Sequence, residues 1–397
     1  GYSMHYFAPD GCGWEGSGYT NYTLSYVTVL LEGLNNFFGD TLGMMDYPGF
    51  EGVGRSLAMT TGRDNNWTIH CEDTPVPYNT TQNMFFTKYY GDYTGQKLNI
   101  EQLYKNPAAM KLHSYLAMKY YLPGAPESTD YPEETDVLYT SSQLGFSRNA
   151  WGGKTKTVVG VHGGYNMDSG CQVDIGNFFY EYKGIVFADD PGIENYAISY
   201  TTAYPARAEG ANVWVVNPDA SYGQSLEGYG DLNMKESKPD GVIYTLDLSS
   251  AYEGYVESAL RGFMLSENRT VFTVQDEIKP FEGENDFYWF WHTLADITVN
   301  ENSRSVSLAR NGVVCKIYFD SNVDFTITKQ DVLTSLPGSP VVEGQNQMPH
   351  AAKMHKIVVN FQSSGEPIIF RATAVPFGKN IDRDTLAPIS EWTIPNP

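Results

Sequence analysis

The chain has 397 residues, 41% of them hydrophobic, and a mean hydropathy of −0.36. That is enough for two domains with substantial cores, and no apolar run approaches the eighteen or so residues that cross a membrane. With 47 acidic against 26 basic residues the formal charge is −21, which excludes a basic stripe for nucleic acid.

The opening GYSMHYFAPDG has neither the basic start nor the apolar core of a signal peptide. Either an export signal has been removed or residue 1 lies inside a longer precursor. Residues 6–18 read as a loop rich in glycine and aromatics. From Tyr19 onward Leu24, Val27, Leu30, Leu31 and Leu34 recur at helical spacing until Gly39-Asp40 ends the run. Residues 41–98 are mixed, with turn clusters at Pro48-Gly49, 62–65 and 75–77. A second helical segment starts near Ile100, breaks around Asn106-Pro107 and resumes until Pro123-Gly124. The acidic, proline-rich stretch 123–136 reads as a linker.

Beyond it the pattern changes to strands. TVVGVH, GIVFAD, NVWVVN, GVIYTLDL, RTVFTVQDE, DFYWFWHT, VVCKIYF, KIVVNF and PIIFRATAV follow one another with turns and no helical spacer. Such a series predicts an antiparallel β-sandwich. The expected fold is therefore α+β and multidomain: a helical domain over 1–122, then a sandwich over 137–397. Within it, 157–192 stands out. Gly160, Gly163, Gly164 and Gly170 crowd its front, and a hairpin turning at Lys183-Gly184 follows, bracketed by Asp174 and Asp190. The plain reading is a hairpin with capping aspartates; the functional reading is a site presented by a sheet.

Cys12, Cys71, Cys171 and Cys315 are widely spaced with no CxxC, so a zinc finger is not expected, and two disulfides or none remain open. Sequons at Asn21, Asn66, Asn79 and Asn268 are close to the number chance supplies. No GxSxG supports a serine hydrolase, and no pair among the 47 acids is singled out for a glycosidase.

The runs VHGGYN, SGCQVDIGNF, DDPGIENY and RAEGANVWVVNPD, together with YFAPDGCGWEGSGYTNYTLSY, MMDYPGF, ESALRGFMLSENRTVFTVQDEI and FYWFWHTLADITV, resemble, in order, segments of the heparinase II/III polysaccharide lyases. The resemblance implies an α/α toroid followed by an antiparallel sandwich. Residues 1–122 hold only about three expected helices, so they correspond to the C-terminal part of that toroid. It also implies β-elimination at a uronate, in which a base takes the proton beside the carboxylate and an acid protonates the leaving oxygen. Tyr19 is the match to the family's catalytic tyrosine and Tyr22 its reserve, against the plain reading that both pack at a helix start.

Where the family's HxHxD has histidines this chain has Gly170 and Gln172, and where its GHNT has one this chain has Ala211. The family's zinc positions thus become Gln172, Asp190 and Ala211, too few donors for a site that needs about four. No metal or other cofactor is expected. His162, in the glycine-rich approach, is the candidate substitute base. Trp14, Glu15, Tyr165, Arg207 and His292 are the candidate substrate-binding residues, the plain reading of Arg207, and of Arg261, being structural pairing and that of His292 a satisfied core group.

Two functions follow from the resemblance. One is an extracellular or periplasmic lyase acting on an acidic polysaccharide. The other is a family member that has kept the fold and lost the chemistry, serving as a carbohydrate-binding or self-assembling surface protein. A homo-oligomer, or an N-terminal part of the same protein, is a further expected partner.

Overall fold

The computed structural model describes residues 2–62, 65–66, 76–77, 80–105, 114–120, 131–152, 156–166, 172–192, 204–342, 351–381, 383 and 385–395. Its helices lie in the first third: α1 (Gly16–Phe38), α2 (Val53–Met59), α3 (Thr80–Tyr90), α4 (Gln96–Lys105) and α5 (Ser114–Tyr120). Helix α1 ends where the spacing predicts, at Gly39 in the left-handed region, whose N–H reaches Asn35 O at 2.9 Å. The sequence reading omits α2 and α3. Helix α3 has Thr80 to Thr87 all buried, so it shows no one-sided apolar stripe. Helix α2 is only seven residues long and mostly buried.

The helices hold together partly through one carboxylate. Glu32 of α1 is buried and accepts from Tyr89 Oη of α3 at 2.6 Å and from Lys119 Nζ of α5. It is the only charged residue in α1. The helix's outward face carries Tyr22, Tyr26, Val29, Leu30 and Phe37 instead, all exposed.

Apart from a two-residue antiparallel ladder that pairs Asn65–Asn66 with Val76–Pro77 among the helices, strands begin at Asp136. The first sheet runs in order β1 (Asp136–Tyr139), β2 (Leu144–Arg148), β3 (Thr157–His162), β4 (Phe178–Tyr182) and β5 (Ile185–Ala188), all antiparallel. The β4–β5 turn is Lys183-Gly184, both at positive φ (55° and 72°), the geometry that suits the twist of a two-residue hairpin. A short β6 (Trp214–Val216) follows. The largest sheet contains β7 (Leu232–Lys238), β8 (Gly241–Asp247), β9 (Val256–Ser266), β10 (Val271–Pro280), β12 (Asp296–Asn300), β13 (Ser305–Arg310), β14 (Val313–Ser321) and β17 (Ile368–Pro376). Its order is β7-β8-β9-β10-β17-β14-β13-β12. A four-stranded sheet, β15-β16-β11-β6, is built from β11 (Asn285–Thr293), β15 (Phe325–Asp331), β16 (His355–Ser363) and β6.

One apolar core joins all three sheets. Val161 and Phe178 of the first meet Tyr244, Phe263 and Phe272 of the largest and Trp289, Trp291 and Phe361 of the third. This is a sandwich in which the five- and four-stranded sheets share the layer opposite the eight-stranded one. Asp189 N donates to His292 O at 3.0 Å, stitching the end of β5 to β11. The first sheet also shares a core with the helices: Leu144, Phe146 and Phe179 pack with Phe50, Leu57 and Phe85. At that seam two buried cations reach α2's C-terminal end, Arg148 Nη2 donating to Met59 O and Lys156 Nζ to Gly62 O at 2.7 Å, where a helix presents unpaired carbonyls.

Candidate functional site

Trp14 and Glu15 end the N-terminal loop and Tyr19 lies in the first turn of α1, all three partly exposed. The loop is anchored to the sandwich. The Asp10 carboxylate accepts from Thr140 N at 2.7 Å, Ser141 N at 3.2 Å and Ser141 Oγ at 2.5 Å, and Ser141 Oγ also donates to Cys12 O. Trp14 packs edge-on against Tyr6, whose hydroxyl bonds Thr20 Oγ1 at 3.1 Å. A side chain at Gly13 would overlap the Tyr6 ring, so the glycine permits that packing. Tyr22 lies one turn along at 62% exposure, its ring against Tyr26 and the two hydroxyls 3.5 Å apart.

The β1–β2 turn that holds this loop also touches the glycine-rich stretch. Gln143 O accepts from Gly163 N at 2.9 Å, and Gln143 Oε1 from Leu232 N at 2.7 Å. His162, at the end of β3, is only 1% exposed, with Nδ1 3.3 Å from Asp174 Oδ1. Tyr165, beyond it, is partly exposed. The glycine-rich approach therefore brings Tyr165, not His162, to the surface.

Behind His162 runs a buried polar chain. Asn177 Nδ2 donates to Asp174 Oδ2 (3.2 Å) and Asp190 Oδ2 (2.6 Å), and its Oδ1 accepts from Asn212 N (3.0 Å). Asn212 Oδ1 accepts from His292 N at 2.7 Å. His292 Nε2 meets Tyr204 Oη at 2.8 Å, and Lys356 Nζ donates to Tyr204 Oη at 3.1 Å and to Thr334 O at 2.6 Å. Burial and the neighbouring lysine hold His292 well below the usual histidine range, so it is neutral. Burial lowers Lys356 to about 8. Burial, then the charge of Asp174, raises Asp190 to about 8. Arg207 is also sealed, its Nη2 3.1 Å from both Glu209 Oε1 and Asp219 O. As placed, Arg207 and His292 brace the sandwich and face no solvent.

The zinc that the family resemblance implies does not fit the residues present. Ala211 offers no donor. Asp190 accepts from Gly192 N at 2.7 Å through one oxygen and from Asn177 through the other. Among the described residues no group of three or more His, Cys, Asp or Glu is arranged to hold a metal ion; Gly170 and Cys171 lie outside them. The sequence reading missed Asn177, Asn212, Tyr204 and Lys356. Asn177 and Asn212 do sit in the DIGN and EGAN runs beside the substituted positions. Lys356 gives no signal, since alternation along a strand does not mark a buried cation.

No family model matches the chain, and no curated protein does. Solved structures do. A heparinase III aligns at a TM-score of 0.65 with 14% identity, over 94% of this chain and 55% of that one. A mutant heparan sulfate lyase from Pedobacter heparinus aligns at 0.65 with 13% identity, over 96% and 55%. A further heparinase III with methylated lysines aligns at 0.61 with 15% identity, over 90% and 51%. The chain spans about half the length of the structures it matches. Among the described residues no helix is long and apolar enough to cross a membrane. Over that half-length, the helices followed by a large antiparallel sandwich are the fold of the heparinase III polysaccharide lyases.

Proposed function

We propose that this chain carries out β-elimination on a uronic-acid-containing polysaccharide, with Tyr19 as the proton-transfer group, in an extracellular or periplasmic setting. The observation that carries the reading is the contrast between Tyr19 and His162. Tyr19 is partly exposed in the first turn of α1, just after the anchored loop that carries Trp14 and Glu15, whereas His162 is sealed against Asp174. A polymer can reach the tyrosine and cannot reach the histidine. In the reaction the Tyr19 oxygen, as tyrosinate, takes the proton from the carbon beside the carboxylate. The freed electron pair forms a C=C bond, the glycosidic C–O bond breaks, and the proton passes to the leaving oxygen. Free tyrosine is almost wholly protonated near neutral pH, so the reaction needs the bound substrate to favour the tyrosinate.

A second reading is a glycan-binding protein that has lost the chemistry. The sealing of His162, Arg207 and His292 favours it, since three polar candidates brace the fold instead of facing a ligand. Incubation with heparan sulfate, chondroitin, hyaluronan and alginate separates the two. Rising ultraviolet absorbance from the conjugated product is expected with one of them. No absorbance with any, alongside retardation in a gel containing the polymer, selects the second reading.

A further inference from the structure

A two-residue ladder pairs Tyr229 with Tyr165 and Gly230 with Gly164, next to His162. Its two rungs face opposite ways. A Cβ placed on Gly230 would fall within 2.8 Å of Ile175 and Leu246 in the core. The glycine rung therefore faces inward and the tyrosine rung outward. Tyr229 is 47% exposed and Tyr165 partly so, and directly opposite residues project from the same face of a ladder.

This face is held from both sides. Asn166, beside Tyr165, is buried: its Nδ2 donates to Gln224 Oε1 at 3.1 Å and Ser225 O at 2.9 Å, and its Oδ1 accepts from Asp174 N at 3.1 Å. On the other strand Ser250 Oγ accepts from Tyr229 N at 2.9 Å and donates to Tyr229 O at 2.6 Å. Both backbones are thus fixed before any ligand arrives, which lowers the ordering cost of binding. Two acids flank it: Glu227 and Asp231, two residues to either side of Tyr229, are both exposed. Carboxylates accept hydrogen bonds from sugar hydroxyls and repel carboxylates and sulfates.

We infer that Tyr165 and Tyr229 form a stacking shelf for an uncharged sugar ring, one that Glu227 and Asp231 close to uronates. The inference rests on the glycan reading above and narrows it: the polymer alternates acidic with neutral units, and the neutral unit sits here. Tyrosine presents a rigid amphipathic surface with little side-chain entropy to lose, which suits the apolar face of a pyranose with a polar edge.

Calorimetric titration with a hyaluronan oligosaccharide, which alternates uronate and neutral hexosamine, and with an alginate oligosaccharide, which is uronate throughout, tests this. Wild-type protein is expected to bind the first more tightly. Tyr229→Ala is expected to weaken hyaluronan binding about tenfold with an unchanged melting temperature, Tyr229→Phe to retain most of it, and E227Q with D231N to gain alginate affinity. If wild type binds hyaluronan and Tyr229→Ala binds it equally, the shelf is wrong while the glycan reading stands. If the double amide variant leaves alginate binding unchanged, the charge selection is wrong. If wild type binds neither oligosaccharide, the shelf is wrong, and the glycan reading falls with it only if heparan sulfate and chondroitin also fail to bind.

Discussion

At the scale of single residues, Asp190 is, among the described residues, the buried carboxyl whose titration is displaced furthest into the neutral range. Its carboxyl is raised to about 8 mainly by burial, while in the unfolded chain it titrates near 4. Between those values the folded state holds a proton that the unfolded state has released, so stability falls as pH rises through the window. His292 is displaced the other way, and its contribution raises stability with pH only up to about 6.5. The lowered Lys356 acts only above about 8, and the raised Cys12 and Cys315 only above about 9. Among described groups with a displaced pKa, Asp190 therefore acts alone between about 6.5 and 8. Urea midpoints are expected to drop across that interval in the wild type and stay level in Asp190→Asn, which keeps the acceptor for Gly192 N and cannot ionise. A drop of equal size in the variant would assign the effect elsewhere. Elemental analysis is expected to find no zinc, and one zinc per chain, lost in Asp190→Ala, would contradict the reading of this position. The substituted positions 172 and 211 are legible in the sequence because motifs flank them. Burial of His162 is not, since a histidine at the end of an apolar strand reads the same whether it faces a cleft or the core.

Among elements, the strands and the end of α1 follow from periodicity and from Gly39, which is local information, while α1 itself starts at Gly16, ahead of the Tyr19 start that the spacing shows. Helices α2 and α3 do not, because an element buried on nearly every side loses the one-sided pattern that marks a helix. The reserve residue Tyr22 shows the same limit from the other side: it lies on an apolar helix face that turns outward, and spacing alone gives no direction. What fixes α1 against α3 and α5 is the Glu32 carboxylate. Glu32→Ala removes the shared acceptor and is expected to cost about 2–3 kcal/mol in urea unfolding. Glu32→Gln, which keeps one acceptor oxygen, is expected to cost less. Equal losses would show that the charge alone matters.

Across the whole molecule, the two layers of the sandwich are joined at Arg261. Its fully buried guanidinium pairs both ways with Asp276 at 2.7 and 2.8 Å and donates to Gly176 O and Asn212 O. Asp276 also accepts from the indoles of Trp214 and Trp289. Removing one partner strands a buried charge, so Arg261→Met is expected to cost about 3–5 kcal/mol, read as a lowered urea midpoint with the whole sandwich unfolding together. The same arginine positions the backbone of Gly176 and Asn212, hence the polar chain behind His162. Helices followed by an antiparallel sandwich are legible in the sequence, because length and alternation carry them. The sharing of one layer by two sheets is not, because strand order depends on contacts far apart in the chain. The chemistry proposed for this fold rests on Tyr19, and the most direct measurement is the rate of ultraviolet-absorbing product formed by Tyr19→Phe from whichever polymer the wild type cleaves. The substitution removes one oxygen and keeps the ring. A fall in kcat/KM of about 100-fold or more, with the melting temperature unchanged, is the expected result; a fall of less than about tenfold would contradict a proton-transfer role for Tyr19.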